Sequence, residues 1–165
     1  ISAVAYVNML QKVLFVMSAL LWGTHVYAAP TVTGTKQEPV QIKLEQFKIG
    51  NDNGKETLVV AKDAKPGEVI EYRATYKNVS NGSVRNLVAT LPIPKGTEYQ
   101  AKTANPVSGV EASIDNITFA TVPLMDSTKK QEISPKLYRA LRWKVSTLKA
   151  NEAIVVSARV KVSQE

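Results

Sequence analysis

The chain contains no cysteine, and its only histidine is His25. Without cysteine there is no disulfide, no thiolate nucleophile and no thiolate ligand for zinc. An imidazole-based triad is excluded for any product that has lost His25. Aromatic residues are sparse at 7%, glycine and proline number 8 each, and acids are the minority charge, 14 against 21 Lys and Arg. Long hydrophobic runs are also missing: the most apolar stretch, Val13–Trp22, covers ten residues. Ten residues rise about 15 Å as a helix, half of the roughly 30 Å hydrocarbon core, which argues against a retained membrane anchor. The length of 165 residues suits one domain or two very small ones. A hydrophobic content of 44% and a charged content of 21% exclude wholesale disorder.

What is present at the N-terminus is an address. Lys12 gives a short positive region from Met9, the apolar run follows, and Gly23–Ala28 is a small-residue exit. That is the tripartite secretory pattern over residues 9–28. Cleavage after Ala28 leaves Ala and Val26 in the peptidase pockets. Cleavage after Ala29 is the poorer choice, because Tyr27 would occupy a small pocket and Pro30 would follow the cut. Residues 1–8 precede Met9 and are assigned no role; no cysteine follows the apolar run, so a lipid anchor is not expected. The expected product is exported to the periplasm or the cell surface, with no mature transmembrane segment.

Loss of residues 1–28 removes one charge, Lys12, and lowers the net charge from +7 to +6. Residues 29–39 are polar with proline near either end and read as a flexible leader. Over residues 40–165 the dominant hydrophobic period is two. Val40, Ile42 and Leu44 alternate with polar neighbours, and Phe47 and Ile49 resume one register out, which predicts a bulge. Ile70, Tyr72, Ala74 and Tyr76 alternate with Glu71, Arg73, Thr75 and Lys77 in the clearest strand. Further strands are expected over Thr57–Ala61, Val84–Leu91, Thr97–Ala101, Val110–Ile114 and Ile117–Val122, then along Leu141–Val145 and Ile154–Val162. One helical turn is expected within Ser134–Leu141. Short strands punctuated by Gly, Pro and Asn predict an antiparallel β-sandwich of about seven or eight strands, with a closed barrel as the alternative.

Pro66-Gly67-Glu68-Val69-Ile70-Glu71-Tyr72, Tyr76–Ser80, and the run Asn86–Tyr99 with its Pro-Ile-Pro-Lys-Gly-Thr-Glu-Tyr corner carry a resemblance. Together with Trp143, Leu148, Glu152 and Ala153–Val162, this order of pieces resembles the domain of unknown function eleven, the conserved-repeat module of bacterial surface proteins. The match spans about residues 57–162. The resemblance implies an immunoglobulin-like sandwich serving as a spacer or adhesive unit, with no catalytic residues to carry over. The chain departs from the family's context in holding one copy and no wall anchor, and residues 123–137 read as an insertion.

Several constellations reduce to structure. The Pro92–Tyr99 corner forces the chain out of its sheet. Aligning Gly54 with the glycine of a calcium loop puts Ile49 and Val60 where carboxylates are required, so Asn51–Gly54 reads as a hairpin turn. An isopeptide crosslink lacks its Asn or Asp on the final strand. No carboxylate pair stands out for glycoside hydrolysis. Asn78, Asn81 and Asn116 begin formal glycosylation triplets and read as loop residues.

One pattern carries functional content. A hairpin turning at Thr147–Asn151 would put Arg142, Lys144, Arg159 and Lys161 on one outer face, extended by Arg73 and Lys77. Such a stripe attracts an anionic polymer, whether envelope phosphate, acidic polysaccharide or extracellular DNA, or else guards the sheet against aggregation. The expectation is therefore a non-catalytic structural or interaction module of the envelope, needing no cofactor or metal. Its partners would be other envelope or surface proteins or an anionic polysaccharide, not a specific nucleic-acid sequence. The basic face and the 123–137 loop are the candidate contacts.

Overall fold

The computed structural model describes residues 38–164, so the expected signal segment and its cleavage residues Ala28 and Ala29 lie outside the described residues. Nine strands form: β1 (Val40–Asp52), β2 (Lys55–Val60), β3 (Val69–Asn78), β4 (Val84–Pro92), β5 (Thr97–Tyr99), β6 (Val110–Ser113), β7 (Ala120–Thr121), β8 (Ala140–Leu148) and β9 (Ala153–Val162). The expected helical turn is a single 3-10 turn at Pro135–Leu137. The strands make two sheets, in the orders β2-β1-β3-β9-β5 and β4-β8-β6-β7. Every strand pairing is antiparallel. The two sheets bury one shared core, the antiparallel β-sandwich that the alternation predicts.

Strand β3 shows why the prediction works there. Ile70, Ala74 and Tyr76 are buried against Leu91, Leu141 and Val156, while Arg73, Thr75 and Lys77 point outward. Each fully buried aliphatic side chain contributes about 1.5–3 kcal/mol, so a half-buried strand holds its face strongly. Strand β1 behaves differently. Its register with β3 runs unbroken from Val40↔Asn78 to Lys48↔Ile70, so the expected bulge does not form. Phe47 and Ile49 instead point to the outer face, and Ile42 and Leu44 on the inner face stay 42% and 54% exposed. With neither face of β1 fully covered, the hydrophobic pattern selects no single face.

Asn53 and Gly54 close the β1–β2 hairpin with φ of 51° and 81°, the two positive values of a type I′ turn. The Pro92–Tyr99 corner takes the chain from β4 in one sheet to β5 in the other, with Ile93 buried and Thr97 bonded through its N–H and hydroxyl to the Pro94 carbonyl.

The expected β8–β9 hairpin is not there. Strand β8 pairs with β4 and β6, whereas β9 pairs with β3 and β5, so residues 149–152 cross from one sheet to the other. At this crossing sits Asn78, read from sequence as a loop residue but fully buried at the end of β3. Its Nδ2 donates to the carbonyls of Gly82, Leu148 and Lys149, and its Oδ1 accepts from the N–H and hydroxyl of Ser80. One carboxamide thus ties the β3–β4 crossing to the β8–β9 crossing, and its burial is inconsistent with a glycan there.

Candidate functional site

Splitting β8 from β9 also splits the expected basic stripe. Arg142 and Lys144 lie on the outer face of the four-stranded sheet, and Arg73, Lys77, Arg159 and Lys161 lie on the outer face of the five-stranded sheet. The two groups therefore share no surface. On the four-stranded sheet, Arg142 Nε and Lys144 Nζ both bond Glu111, at 2.6 and 2.8 Å, and the Arg142 guanidinium sits 4.1 Å over the Phe119 ring. Hydrogen bonds first from Lys144 and then from Arg142 hold the Glu111 carboxyl below its ordinary range. This pair of cations is already answered by its own sheet.

The five-stranded sheet carries a more developed arrangement. Antiparallel register sets Glu71 of β3 directly opposite Arg159 of β9, with Arg73 opposite Ser157 one step along. Glu71 is 8% exposed although it points outward, because the two arginines close over it. It accepts from Arg73 Nη2 and, at 3.3 Å, from Arg159 Nε. Arg159 turns the far side of its guanidinium to Glu56 of β2, with Nη1 2.9 Å from the carboxylate and Nη2 completing a two-pronged contact. Glu56 and then Glu71 raise the Arg159 pKa further, and the Arg159 hydrogen bonds lower that of Glu56. The Arg73 guanidinium also lies 4.9 Å over the outward-facing Phe47 ring.

Beside this cluster the chain after β5 continues along the edge of β9. Asn105 bridges Ser157 of β9 through paired backbone bonds of 2.8 Å, and Thr103 Oγ1 accepts from the Arg159 N–H at 2.9 Å. The result is a groove of about 670 Å³ lined by Glu71, Arg73, Lys102, Thr103, Asn105, Val155, Ser157 and Arg159. Its lining sets three cations, two hydroxyls and a carboxamide around one shielded carboxylate. Arg159 spends its fork on Glu56, so Arg73 and the exposed Lys102 carry the donors that a ligand would meet. Lys77 and Lys161 lie on the same outer face toward the opposite ends of β3 and β9. Lys102, Asn105 and Ser157 escape sequence reasoning because a connection, not an alternating strand, delivers two of them and a pairing partner selects the third.

The 123–137 segment is anchored, not free. Leu124 is buried, its N–H donates to the Tyr138 hydroxyl at 2.9 Å, and Tyr138 stacks on Tyr99 with ring centroids 5.6 Å apart. An apolar cleft of about 460 Å³ opens beside it, lined in part by Val107, Val110, Val122, Pro123 and Tyr138. Among the described residues no group of three or more His, Cys, Asp or Glu side chains is placed to hold a metal ion, and no helix is long and apolar enough to cross a membrane. No family model, no curated protein and no solved structure matches this chain, so the reading of its site rests on its own geometry.

Proposed function

We propose that the chain is an exported, non-catalytic interaction module of the bacterial cell envelope. The resemblance to the conserved-repeat module supports that setting, as does the secretory pattern of residues 9–28. In this reading the groove on the five-stranded sheet docks an anionic group, a carboxylate or phosphate carried by an envelope polymer or a partner protein. The observation that carries it is the convergence of Arg73, Lys102 and Arg159 on one groove, with Glu71 buried beneath the guanidiniums. A carboxylate so placed holds two arginine side chains in fixed directions, which lowers the entropic cost of ordering them on a ligand. Attraction of this kind weakens as salt rises.

The test is a salt-dependent pull-down of the protein on envelope from the producing cell. Arg73→Glu with Lys102→Glu is expected to abolish retention at low salt. Arg142→Glu with Lys144→Glu, on the opposite sheet, is expected to leave it intact. Equal retention of both variants and wild type, or no retention of any, rejects the groove as a docking site.

A further inference from the structure

The two long edge strands, β2 and β4, are treated differently by the fold. Strand β4 is blunted: the Tyr76 hydroxyl donates to the Thr90 carbonyl at 2.6 Å and accepts from the Thr90 N–H at 2.8 Å, where a further strand would pair. Asn86 adds a φ of 55°, and Pro92 ends the strand. These are the devices by which edges are kept from pairing.

Strand β2 has none of them. Pairing of Asp52 with Lys55 across a two-residue turn, and the 2.9 Å bond from the Ala61 N–H to the Gln46 carbonyl, direct the backbone groups of residues 55, 57, 59 and 61 toward β1. The N–H and C=O groups of Glu56, Leu58 and Val60 therefore point away from the sheet. Among the described residues no turn or side-chain hydrogen bond engages them. The side chains beside them are apolar and open, with Leu58 42%, Val59 60% and Val60 68% exposed.

We propose that β2 is a self-recognition edge, on which a second copy of this chain pairs its own β2 antiparallel about a two-fold axis through Val59. The charges around the strand select that register. The run Lys55-Glu56-Thr57-Leu58-Val59-Val60-Ala61-Lys62-Asp63 reads plus, minus, five uncharged residues, plus, minus. Antiparallel pairing centred on Val59 brings Glu56, already bonded to Arg159, opposite Lys62 of the other copy. It sets Lys55 at the end that carries the other copy's Asp63, itself 3.0 Å from Lys48, so each carboxylate is shared between two cations. Leu58 then opposes Val60 twice on the outer face, beside Phe47 and Ile49 of each β1. Both residues of that pair carry outward N–H and C=O groups, so the hydrogen bonds are in phase. The neighbouring in-phase registers are worse. Centring on Leu58 sets Glu56 against Val60, and centring on Val60 sets Lys55 against Lys65. The contact is isologous, so it closes at two copies, joining two five-stranded sheets into one.

Because the chain holds no cysteine, single cysteines read the register directly. The axis falls on a non-hydrogen-bonded pair, whose Cα atoms are about 4.5 Å apart and within disulfide reach. The full chain, as its host processes it, is expected to sediment as a concentration-dependent monomer–dimer system. Oxidised Val59→Cys is expected to convert to a disulfide dimer, and Leu58→Cys or Val60→Cys alone to stay largely uncoupled. A mixture of the last two is expected to couple with each other. Lys62→Glu, which leaves the Glu56–Arg159 contact in place, is expected to weaken the dimer. Circular dichroism shows whether each variant is folded. A wild type that remains monomeric throughout, or coupling at 58 or 60 alone as ready as at 59, overturns the proposal.

Discussion

The Asn78 carboxamide donates to the main-chain carbonyl of Leu148 at 2.9 Å, a contact between residues 70 positions apart that couples the end of β3 to the end of β8. Because the same nitrogen also serves Gly82 and Lys149, two of the four passages of the chain between sheets, β3 to β4 and β8 to β9, are tied by one side chain. Asn78→Ala strands these carbonyls in a buried place and is expected to cost about 2–4 kcal/mol, read as a lower urea midpoint. Asn78→Asp is expected to cost more at neutral pH, since a carboxylate would face the same three carbonyls, and to recover partly in acid as it protonates.

Tyr76 makes a narrower claim testable. Tyr76→Phe keeps the buried ring but removes both hydrogen bonds to Thr90, for an expected loss of about 1–2 kcal/mol. Hydrogen exchange at the Thr90 amide should accelerate relative to Leu91. An unchanged Thr90 rate would mean that the hydroxyl does not protect the β4 edge.

Glu71 separates structural from ligand-binding electrostatics. Glu71→Ala leaves the Arg73 and Arg159 guanidiniums side by side with only Glu56 to answer them. The expected loss is about 1–2 kcal/mol, small for a buried group because both arginines are about one-third exposed and hydrated. Part of that loss is like-charge repulsion, so added salt should shrink it; denaturation at low and high salt measures the difference.

Asp115 predicts a feature of the acid limb. The N–H groups of Ile117 and Thr118, then the Ser113 hydroxyl, bond its carboxylate and lower its pKa from 3.8 to about 2. A folded-state value below the unfolded one stabilises the fold above about pH 4, and the contribution disappears as pH falls through about 2. Asp115→Asn should therefore flatten the stability profile between these values, and a profile identical to wild type would contradict the assignment.

How far the sequence could be read depends on how each strand is covered. The alternation of Ile70, Tyr72, Ala74 and Tyr76 foretells β3 because one face of that strand is buried and the other wet. The same logic fails on β1, where both faces are partly open and the step from Leu44 to Phe47 looks like a bulge that does not form. Six basic residues could be assigned to outer faces from alternation alone, yet nothing local says which sheet a strand joins.

The sequence by itself determined the class of this protein: an all-β domain of short strands, with turns at Asn53-Gly54 and a proline corner after β4. Those features rest on local chemistry, a side-chain period of two and backbone angles that particular residues permit. Tertiary structure alone decided that β8 and β9 part company, that Arg159 meets Glu56 and Glu71 while Arg142 meets Glu111, and that a groove opens beside β9. The physical reason is that a short connection such as residues 149–152 is compatible with a hairpin or a crossing. The choice is made by pairing with distant strands, β9 with β3 and β8 with β4 and β6, and the crossing is fastened by a buried carboxamide some 70 residues away.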